Sequence, residues 1–219
     1  MTGSTSTSIW KNYQNGVRNY CGHILEDGMT KNQKLPNILL TPTTKEEEHD
    51  RPISIQEIID EQWMTKEDLD ICSTAALQLF QRGQEVAIRH GLILVDTKYE
   101  FGYDPIQKKI LLIDEIHTPD SSRYWIASTY QERVQQQLEP ENIDKEFLRL
   151  WFMNQPDCDP YNVNIPLPEP PMDLVIELSR RYIQLYEMIT GQSFEFPTCT
   201  ASGTENDELI AKVIQENLI

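Results

Sequence analysis

GLILVDTKYEFGYDPIQKKILLIDEIHTPDSSRYW, residues 91–125, is the stretch that decides the fold. It contains two apolar runs rich in β-forming residues, at 92–101 and 110–116. The Gly-Tyr-Asp-Pro between them has the composition of a turn, because glycine and proline supply the backbone angles that turns need. The two runs therefore predict an antiparallel β-hairpin.

Amphipathic helices are predicted on both sides of this hairpin. One start signal is Ser54 with Glu57 three residues later, and a second is Thr65 with Asp68 three residues later. The second precedes apolar residues at three- and four-residue steps that continue to His90, which indicates a long helix. Two further helices are predicted, over 144–152 and between Pro171 and Gly191.

The two ends of the chain have weaker patterns. Gly16, Gly22 and Gly28 interrupt any helical period in the first fifty residues, where we predict loops and at most two short strands. After Pro197 the chain is small and polar before a short apolar and acidic segment. We therefore expect an α+β domain over 1–197, with an antiparallel hairpin core flanked by helices, and an acidic tail over 198–219.

Composition excludes several classes of protein. Lysine and arginine total 19 against 35 aspartates and glutamates in 219 residues, a formal net charge of −16. Such a chain repels a phosphate backbone, so we expect no nucleic-acid partner. No stretch approaches the roughly 20 apolar residues of a membrane helix, and the N-terminus does not resemble a signal peptide, which predicts a cytoplasmic protein with no membrane partner. The four cysteines and four histidines are scattered, without zinc-ligand or disulfide spacing.

Charged residues interrupt the apolar runs of the predicted hairpin. Strand alternation puts Asp96, Lys98 and Glu100 on one face. An odd number of loop residues would bring Asp114 to the face of Glu100, and an even number would bring Glu115 instead. Two carboxylates beside a lysine suit a magnesium ion bound to nucleotide phosphates, because Mg²⁺ prefers carboxylate oxygen and the ammonium attracts phosphate. The alternative is a salt-bridged hairpin whose charges point to water.

Three other segments carry groups that bind anions. Residues 117–123, HTPDSSR, join a turn to hydroxyls and to the guanidinium of Arg123, which recognises phosphate or carboxylate through two hydrogen bonds. Residues 2–8 could form a hydroxyl-lined phosphate loop, and Lys45 could reach an anion from its loop. The alternatives are an ordinary turn, a flexible terminus and a solvated charge run, respectively.

Six motifs together resemble one family. They are, in order, TGSTSTSIWKNY, LTPTTKEEEHD, LILVDTKYEFG, LLIDEIHTPDSSRYW, DKEFLRLWF and RRYIQLYEMITG. This arrangement resembles the SAICAR synthetases (phosphoribosylaminoimidazole-succinocarboxamide synthases) of purine biosynthesis. The resemblance runs from about Thr2 to Gly191, and DTKYEFG with DEIHTPDSSRYW is its most specific part.

The resemblance implies an ATP-dependent ligase that joins the carboxylate of carboxyaminoimidazole ribotide to the amine of L-aspartate, with release of ADP and phosphate. ATP would activate the carboxylate as an acyl phosphate, which the amine attacks through an oxyanionic centre. By motif, Glu100 and Asp114 would hold Mg²⁺, and Lys45 and Lys98 would contact the nucleotide phosphates. Lys98, Asp114 and Arg123 are the implied catalytic residues.

The resemblance also implies a pocket for the ribotide. Arg123 would grip this substrate together with one serine of residues 2–8. Either Ser4 or Ser8 could be that serine, because family members differ in the length of the segment. The implied lining of the pocket is Asp120, Ser121 and Ser122.

The chain departs from the family pattern at its N-terminus. Family members carry, ahead of the TGS segment, a β-rich lobe with a glycine-rich loop over ATP, and nothing in these residues resembles that lobe. The sequence is then a fragment of a longer enzyme, one of two polypeptides that together make the enzyme, or an inactive relic that keeps the ribotide pocket as a binding module. The expected partners are the three substrates, a separately encoded lobe in the second case, and a second copy if the protein is a homo-oligomer.

Overall fold

The computed structural model describes residues 7–45, 50–156, 158 and 166–196. Six helices and six strands occur in this part of the chain. In order they are α1 (Ile9–Gln14), β1 (Asn19–Tyr20), β2 (His23–Ile24), α2 (Ile55–Asp60), α3 (Lys66–Arg89), β3 (Leu92–Thr97), β4 (Phe101–Asp104), β5 (Lys109–Leu112), β6 (Ser122–Ile126), α4 (Ala127–Gln135), α5 (Glu146–Met153) and α6 (Met172–Thr190).

The predicted helix starts are confirmed. The Ser54 hydroxyl accepts a hydrogen bond from the Glu57 N–H at 3.2 Å, and the Glu57 carboxylate accepts one from the Ser54 N–H at 2.7 Å. Thr65 caps α3 by accepting a hydrogen bond from the Asp68 N–H at 3.1 Å. These side chains satisfy backbone donors that the first turn of a helix leaves unpaired. Gly191 ends α6 with φ of 70°, the left-handed conformation that glycine adopts at little cost.

The predicted hairpin between 92–101 and 110–116 is wrong in its pairing. The first run ends as a strand at Thr97, and β3 pairs antiparallel with β6, with a register shift between Leu94 and Asp96. Residues 98–100 are not in a strand, and the chain then forms a shorter hairpin of β4 and β5. An apolar run does not reveal a change of partner within it, because the same alternating pattern serves either neighbour.

The shorter hairpin has a four-residue turn, 105–108. The Asp104 carboxylate accepts hydrogen bonds from the N–H groups of Ile106 at 2.8 Å and Gln107 at 3.1 Å. Lys108 has φ of 52°. The turn therefore lies where its Asp-Pro composition predicted, although it joins shorter strands than expected.

Three elements were missed by the sequence analysis. Helix α1 falls among residues predicted as loops and short strands, β6 begins inside the segment 117–123, whose composition indicates a turn, and no pattern predicts α4. The six residues of α1 are too few for a clear helical period, and its stability comes from packing of Tyr13, which is 7% exposed, against Tyr20 and Leu25. The two short strands predicted for the first fifty residues are confirmed as β1 and β2.

The main core forms where α3 and α6 meet the β3–β6 pair. Its buried side chains are Ala87, Leu92, Leu94, Tyr124, Ile143 and Leu185. These residues come from both strands, both helices and the segment before α5, so the α+β class is confirmed. No helix in the described part of the chain is long and apolar enough to cross a membrane. The proposed tail, 198–219, lies outside the described residues.

Candidate functional site

Lys45, Lys98 and Glu100 form a charged cluster, which we call the lysine–glutamate cluster. The ammonium groups of Lys45 and Lys98 lie 2.8 and 2.6 Å from the same oxygen of Glu100, Oε1. Their hydrogen bonds hold the pKa of Glu100 below its usual range. The carboxylate is therefore ionised at neutral pH, the form that binds a cation.

Local backbone pairing positions both halves of this cluster. Lys45 follows Thr44, whose N–H donates to the Arg51 carbonyl at 3.0 Å and whose hydroxyl accepts from the Arg51 N–H at 3.2 Å. The Glu100 carbonyl accepts a hydrogen bond from the Ile113 N–H at 3.0 Å, which continues the β4–β5 ladder by one residue. The cluster thus joins a loop to the base of the hairpin.

The cluster fits a magnesium ion that arrives with phosphate. Both ammonium groups contact Oε1, and no hydrogen bond or ion pair from a described residue reaches the second oxygen of Glu100, Oε2. Within the part of the chain described, no group of three or more histidine, cysteine, aspartate or glutamate residues could enclose a metal by itself. Mg²⁺ commonly binds through one or two carboxylates together with substrate phosphates, which agrees with this donor set.

Asp114 is not brought to Glu100 by the strand register. The turn has four residues, the even case. Phe101 pairs with Leu112, so the preceding residue, Glu100, lies opposite Ile113. Alternation would favour Glu115, but both acids follow the end of β5 at Leu112 and are exposed. Asp114 accepts a hydrogen bond from the Glu115 N–H at 2.8 Å. Its role as a magnesium ligand stays a prediction from the resemblance.

Arg123 lies on β6 between two carboxylates. Its Nη1 is 2.8 Å from Asp96 Oδ2, and its Nε is 3.6 Å from Glu146 Oε2. Glu146 also pairs with Arg149 at 2.7 Å. The Arg123 side chain is only 14% exposed, so its guanidinium is held in one orientation.

Asp144 fixes the backbone around this ion-pair network. It is fully buried and accepts hydrogen bonds from the N–H groups of Tyr124 at 2.7 Å and Glu146 at 2.8 Å. One residue therefore ties the strand that carries Arg123 to the start of α5. Burial raises the pKa of Asp144 to about 7, although these two N–H groups and the charge of Arg123 oppose the rise.

Hydroxyl groups hold the loop that leads into β6. The Ser121 hydroxyl accepts a hydrogen bond from the Thr118 N–H at 3.2 Å, and the Ser122 hydroxyl lies 2.8 Å from that of Thr97 on β3. Ser122 is 3% exposed, and Thr97 is a hydrogen-bonding partner of its buried hydroxyl. Asp120 is exposed and lies 3.6 Å from the ammonium of Lys145. The substrate contacts of Asp120, Ser121 and Ser122 stay predictions.

Of the two candidate serines, only Ser8 lies in the described part of the chain. Its hydroxyl caps α1 by accepting a hydrogen bond from the Lys11 N–H at 3.3 Å, and the residue is 7% exposed. Ser4 lies outside the described residues.

A cavity of about 290 Å³ extends from α1 to Glu146 and is lined by Trp10, Lys11, Gln14, Lys31, Trp125, Glu139, Asn142, Glu146, Leu150 and Met153.

The family model for SAICAR synthetase matches residues 1–163. The chain belongs to this family. It is 58% identical over 213 residues to the phosphoribosylaminoimidazole-succinocarboxamide synthase of Legionella pneumophila (strain Lens), a match that covers 97% of this chain and 66% of that protein. It is 60% identical over 195 residues to the chloroplastic enzyme of Arabidopsis thaliana, covering 89% of this chain and 46% of that protein.

Solved structures of SAICAR synthetases have a similar fold. The SAICAR synthase from Saccharomyces cerevisiae complexed with SAICAR has a TM-score of 0.65 and 30% identity, over 88% of this chain and 58% of that one. A SAICAR synthetase in complex with ADP has a TM-score of 0.55 and 25% identity, over 77% of this chain and 57% of that one. The chain spans about two thirds or less of the length of these relatives.

Sequence reasoning missed three residues that contact the site. Strand alternation places Asp96 on a charged face without giving it a role, and the pattern around Glu146 and Arg149 predicts only a helix. The available signal was the charge spacing in DKEFLR, where an acid and an arginine three residues apart share one helix face. Their link to Arg123 depends on how α5 packs beside β6, which that spacing does not contain.

The buried Asp144 predicts a pH dependence of stability. Its folded pKa of about 7 lies above the ordinary value near 3.9, so the native state holds a proton that the unfolded state has lost between these values. The stability that the protonated Asp144 carboxyl contributes to the native state is complete below about pH 4, and it is lost as pH rises through about 7. One pKa unit corresponds to about 1.4 kcal/mol. Between pH 4 and pH 8 we therefore expect the free energy of unfolding of the unsubstituted protein to fall by about 2 to 4 kcal/mol more than that of Asp144→Asn.

Denaturant titrations from pH 4 to pH 8 measure this difference. Asp144→Asn lowers stability at acid pH, because an amide offers one acceptor to two backbone donors, but it lacks the pH-dependent loss. The control is Asp70→Asn at an exposed position of α3, whose curve should run parallel to that of the unsubstituted protein. If stability changed with pH in the same way in Asp144→Asn and in the unsubstituted protein, the Asp144 carboxyl would titrate normally and the prediction would be wrong.

Proposed function

We propose that the protein takes part in an ATP-dependent ligation, in which the carboxylate of carboxyaminoimidazole ribotide is joined to the amine of L-aspartate to give SAICAR, ADP and phosphate. The observation that supports this most is the lysine–glutamate cluster, in which two ammonium groups share one oxygen of an ionised carboxylate. Membership of the SAICAR synthetase family supports the substrates.

The nucleotide end of the proposed site is built on this cluster. Glu100 and Asp114 would hold Mg²⁺, and Lys45 and Lys98 would meet the phosphates of ATP. When bound, Mg-ATP supplies the phosphoryl group that activates the substrate carboxylate. The two lysines counter the charge of the phosphates, and Glu100 holds both ammonium groups within 3 Å of one point before the nucleotide arrives.

The ribotide end of the proposed site is built on Arg123. Its planar guanidinium suits a phosphate or carboxylate, and Asp96 with Glu146 fixes its orientation. A serine of residues 2–8, Ser4 or Ser8, would complete the grip, with Asp120, Ser121 and Ser122 around it. In this proposal Lys98, Asp114 and Arg123 are the catalytic residues. Lys98 and Arg123 bear positive charge where negative charge develops in the reaction, and Asp114 would bind a cation there.

An assay of ADP release tests the proposal. The chain should be assayed alone and with the N-terminal lobe of the Legionella relative, with ATP, Mg²⁺, the ribotide and L-aspartate present together. We expect ADP release that requires all four, in the cytoplasmic range of pH and ionic strength. Release that continues without the ribotide or aspartate would assign a different phosphotransfer. Ribotide binding without turnover, even with the lobe, would identify an inactive binding module.

Asp114→Asn tests the magnesium ligands in the same assay. The substitution removes one negative charge at constant size, and we expect turnover to fall by at least ~100-fold, on the scale of lost metal or electrostatic stabilisation. Glu115→Gln is the matched comparison, because this neighbouring acid is the one that strand register favours. A large loss for Glu115→Gln with near-normal turnover of Asp114→Asn would transfer the role to Glu115.

Arg123→Lys tests the ribotide end. Lysine keeps the positive charge but cannot donate two parallel hydrogen bonds, so we expect the apparent KM for the ribotide to rise more than that for ATP. Steady-state kinetics with each substrate varied in turn measures both constants. Equal changes in the two constants, or none, would argue that Arg123 does not contact the ribotide.

A further inference from the structure

His117 connects two segments of the proposed site. The Tyr99 hydroxyl is hydrogen-bonded to Nε2 of His117, and the two rings meet edge to face with centroids 5.6 Å apart. Tyr99 stands between Lys98 and Glu100, and His117 directly precedes Thr118. The contact therefore joins the segment of the lysine–glutamate cluster to the loop 118–121, which leads into β6.

The protonation states of the two side chains are complementary. Burial raises the pKa of the Tyr99 hydroxyl to about 12, so this group keeps its proton and donates. Burial lowers the pKa of His117, which favours the neutral imidazole. A neutral ring protonated at Nδ1 presents Nε2 as the acceptor. The hydrogen bond thus joins two neutral groups.

A second tyrosine, Tyr124, holds the backbone of His117. Its carbonyl accepts a hydrogen bond from the Tyr124 hydroxyl at 2.9 Å, and Tyr124 follows Arg123 on β6. His117 has φ of 57°, in the left-handed region, which costs energy for most residues and is better tolerated by histidine, asparagine and aspartate. The contact with Tyr124 and the contact with Tyr99 together fix the residue against β6 and against the connection 98–100.

Helix α3 supplies the remaining side of this arrangement. A Cβ atom at Gly83 would overlap Cε1 of His117 and Cδ2 of Leu94. The absence of a side chain at Gly83 therefore lets the imidazole pack directly on the helix. Close packing on this side keeps the ring facing Tyr99, since a rotation would carry it into the helix or the core.

We propose that His117 is a positioning residue, which acts through Tyr99 to set where Lys98 and Glu100 lie relative to the loop 118–121. The proposal rests on the proposed function, in which the nucleotide and the ribotide bind at these two segments. Reaction between two bound anions depends on their separation and alignment, and a displacement of about 1 Å can cost ~100-fold in rate. The contact would therefore affect turnover more than the binding of either substrate.

Two single variants and their combination test this role. Tyr99→Phe removes the hydroxyl and keeps the ring. His117→Asn keeps a residue that tolerates the left-handed backbone, but its shorter side chain does not reach Tyr99. Tyr103→Phe is the matched control, because Tyr103 lies on β4, is 58% exposed and loses the same hydroxyl.

We expect both single variants to lower kcat by at least ~10-fold, with the apparent KM values for ATP and ribotide within about threefold of the unsubstituted protein. The double variant should lose no more than the worse single variant, because both changes break one contact. Tyr103→Phe should leave kcat unchanged. Near-normal kcat in Tyr99→Phe, or losses that multiply in the double variant, would overturn the proposal.

Amide hydrogen exchange separates this proposal from the proposed function, since it needs no turnover. Tyr99→Phe should speed exchange over 118–122, a segment distant in sequence from the substitution, and Tyr103→Phe should not. Unchanged exchange over 118–122 overturns the role of His117 whether or not the protein is active. Faster exchange together with no ADP release from the unsubstituted protein, with and without the lobe, would reject the proposed function and keep the structural coupling.

Discussion

The pairing of β3 with β6 controls where the charged groups of the proposed site lie. Asp96 stands opposite Arg123 and Thr97 opposite Ser122, so the loop before β6 ends where β3 ends. Three residues later the Glu100 carbonyl joins the β4–β5 ladder. The short connection 98–100, which carries Lys98 and Glu100, therefore follows directly on the strand that pairs Asp96 with Arg123. A hairpin formed by both apolar runs, as predicted from the sequence, would have left Arg123 without a strand partner at this position.

Local charge balance differs between the two ends of the site. In a chain with a net charge of −16, two lysines face one carboxylate at the lysine–glutamate cluster, which leaves an excess of positive charge. At the other end, the two arginines Arg123 and Arg149 contact Asp96 and Glu146. An anion binding at Arg123 must compete with carboxylates already in contact with it. Such a site favours a ligand that offers two acceptors in the geometry of the guanidinium over one that offers charge alone.

The sequence predicts the local features of this protein well and the long-range ones poorly. Ser54, Thr65 and Gly191 carry their structural role within three residues of themselves, and all three were predicted correctly. The meeting of Lys45 with Glu100 joins residues 55 apart in sequence, and the resemblance to a family, not the spacing, indicated that they share a site. The partner change at Thr97 and the contact of Glu146 with Arg123 depend on packing between distant elements, for which the sequence pattern contains no signal.

In the proposed site, charge would attract anions but would not fix their positions. Electrostatic attraction falls off over about 8 Å in physiological salt, so the lysines and Arg123 would act on a ligand within a wide range of placements. Hydrogen bonds act only at about 3 Å with defined angles. The contacts that join the segments here are of this kind: Thr97 with Ser122, Asp144 with two backbone N–H groups, and Tyr99 with His117. Short-range contacts between uncharged or buried groups therefore set the geometry within which the exposed charges act.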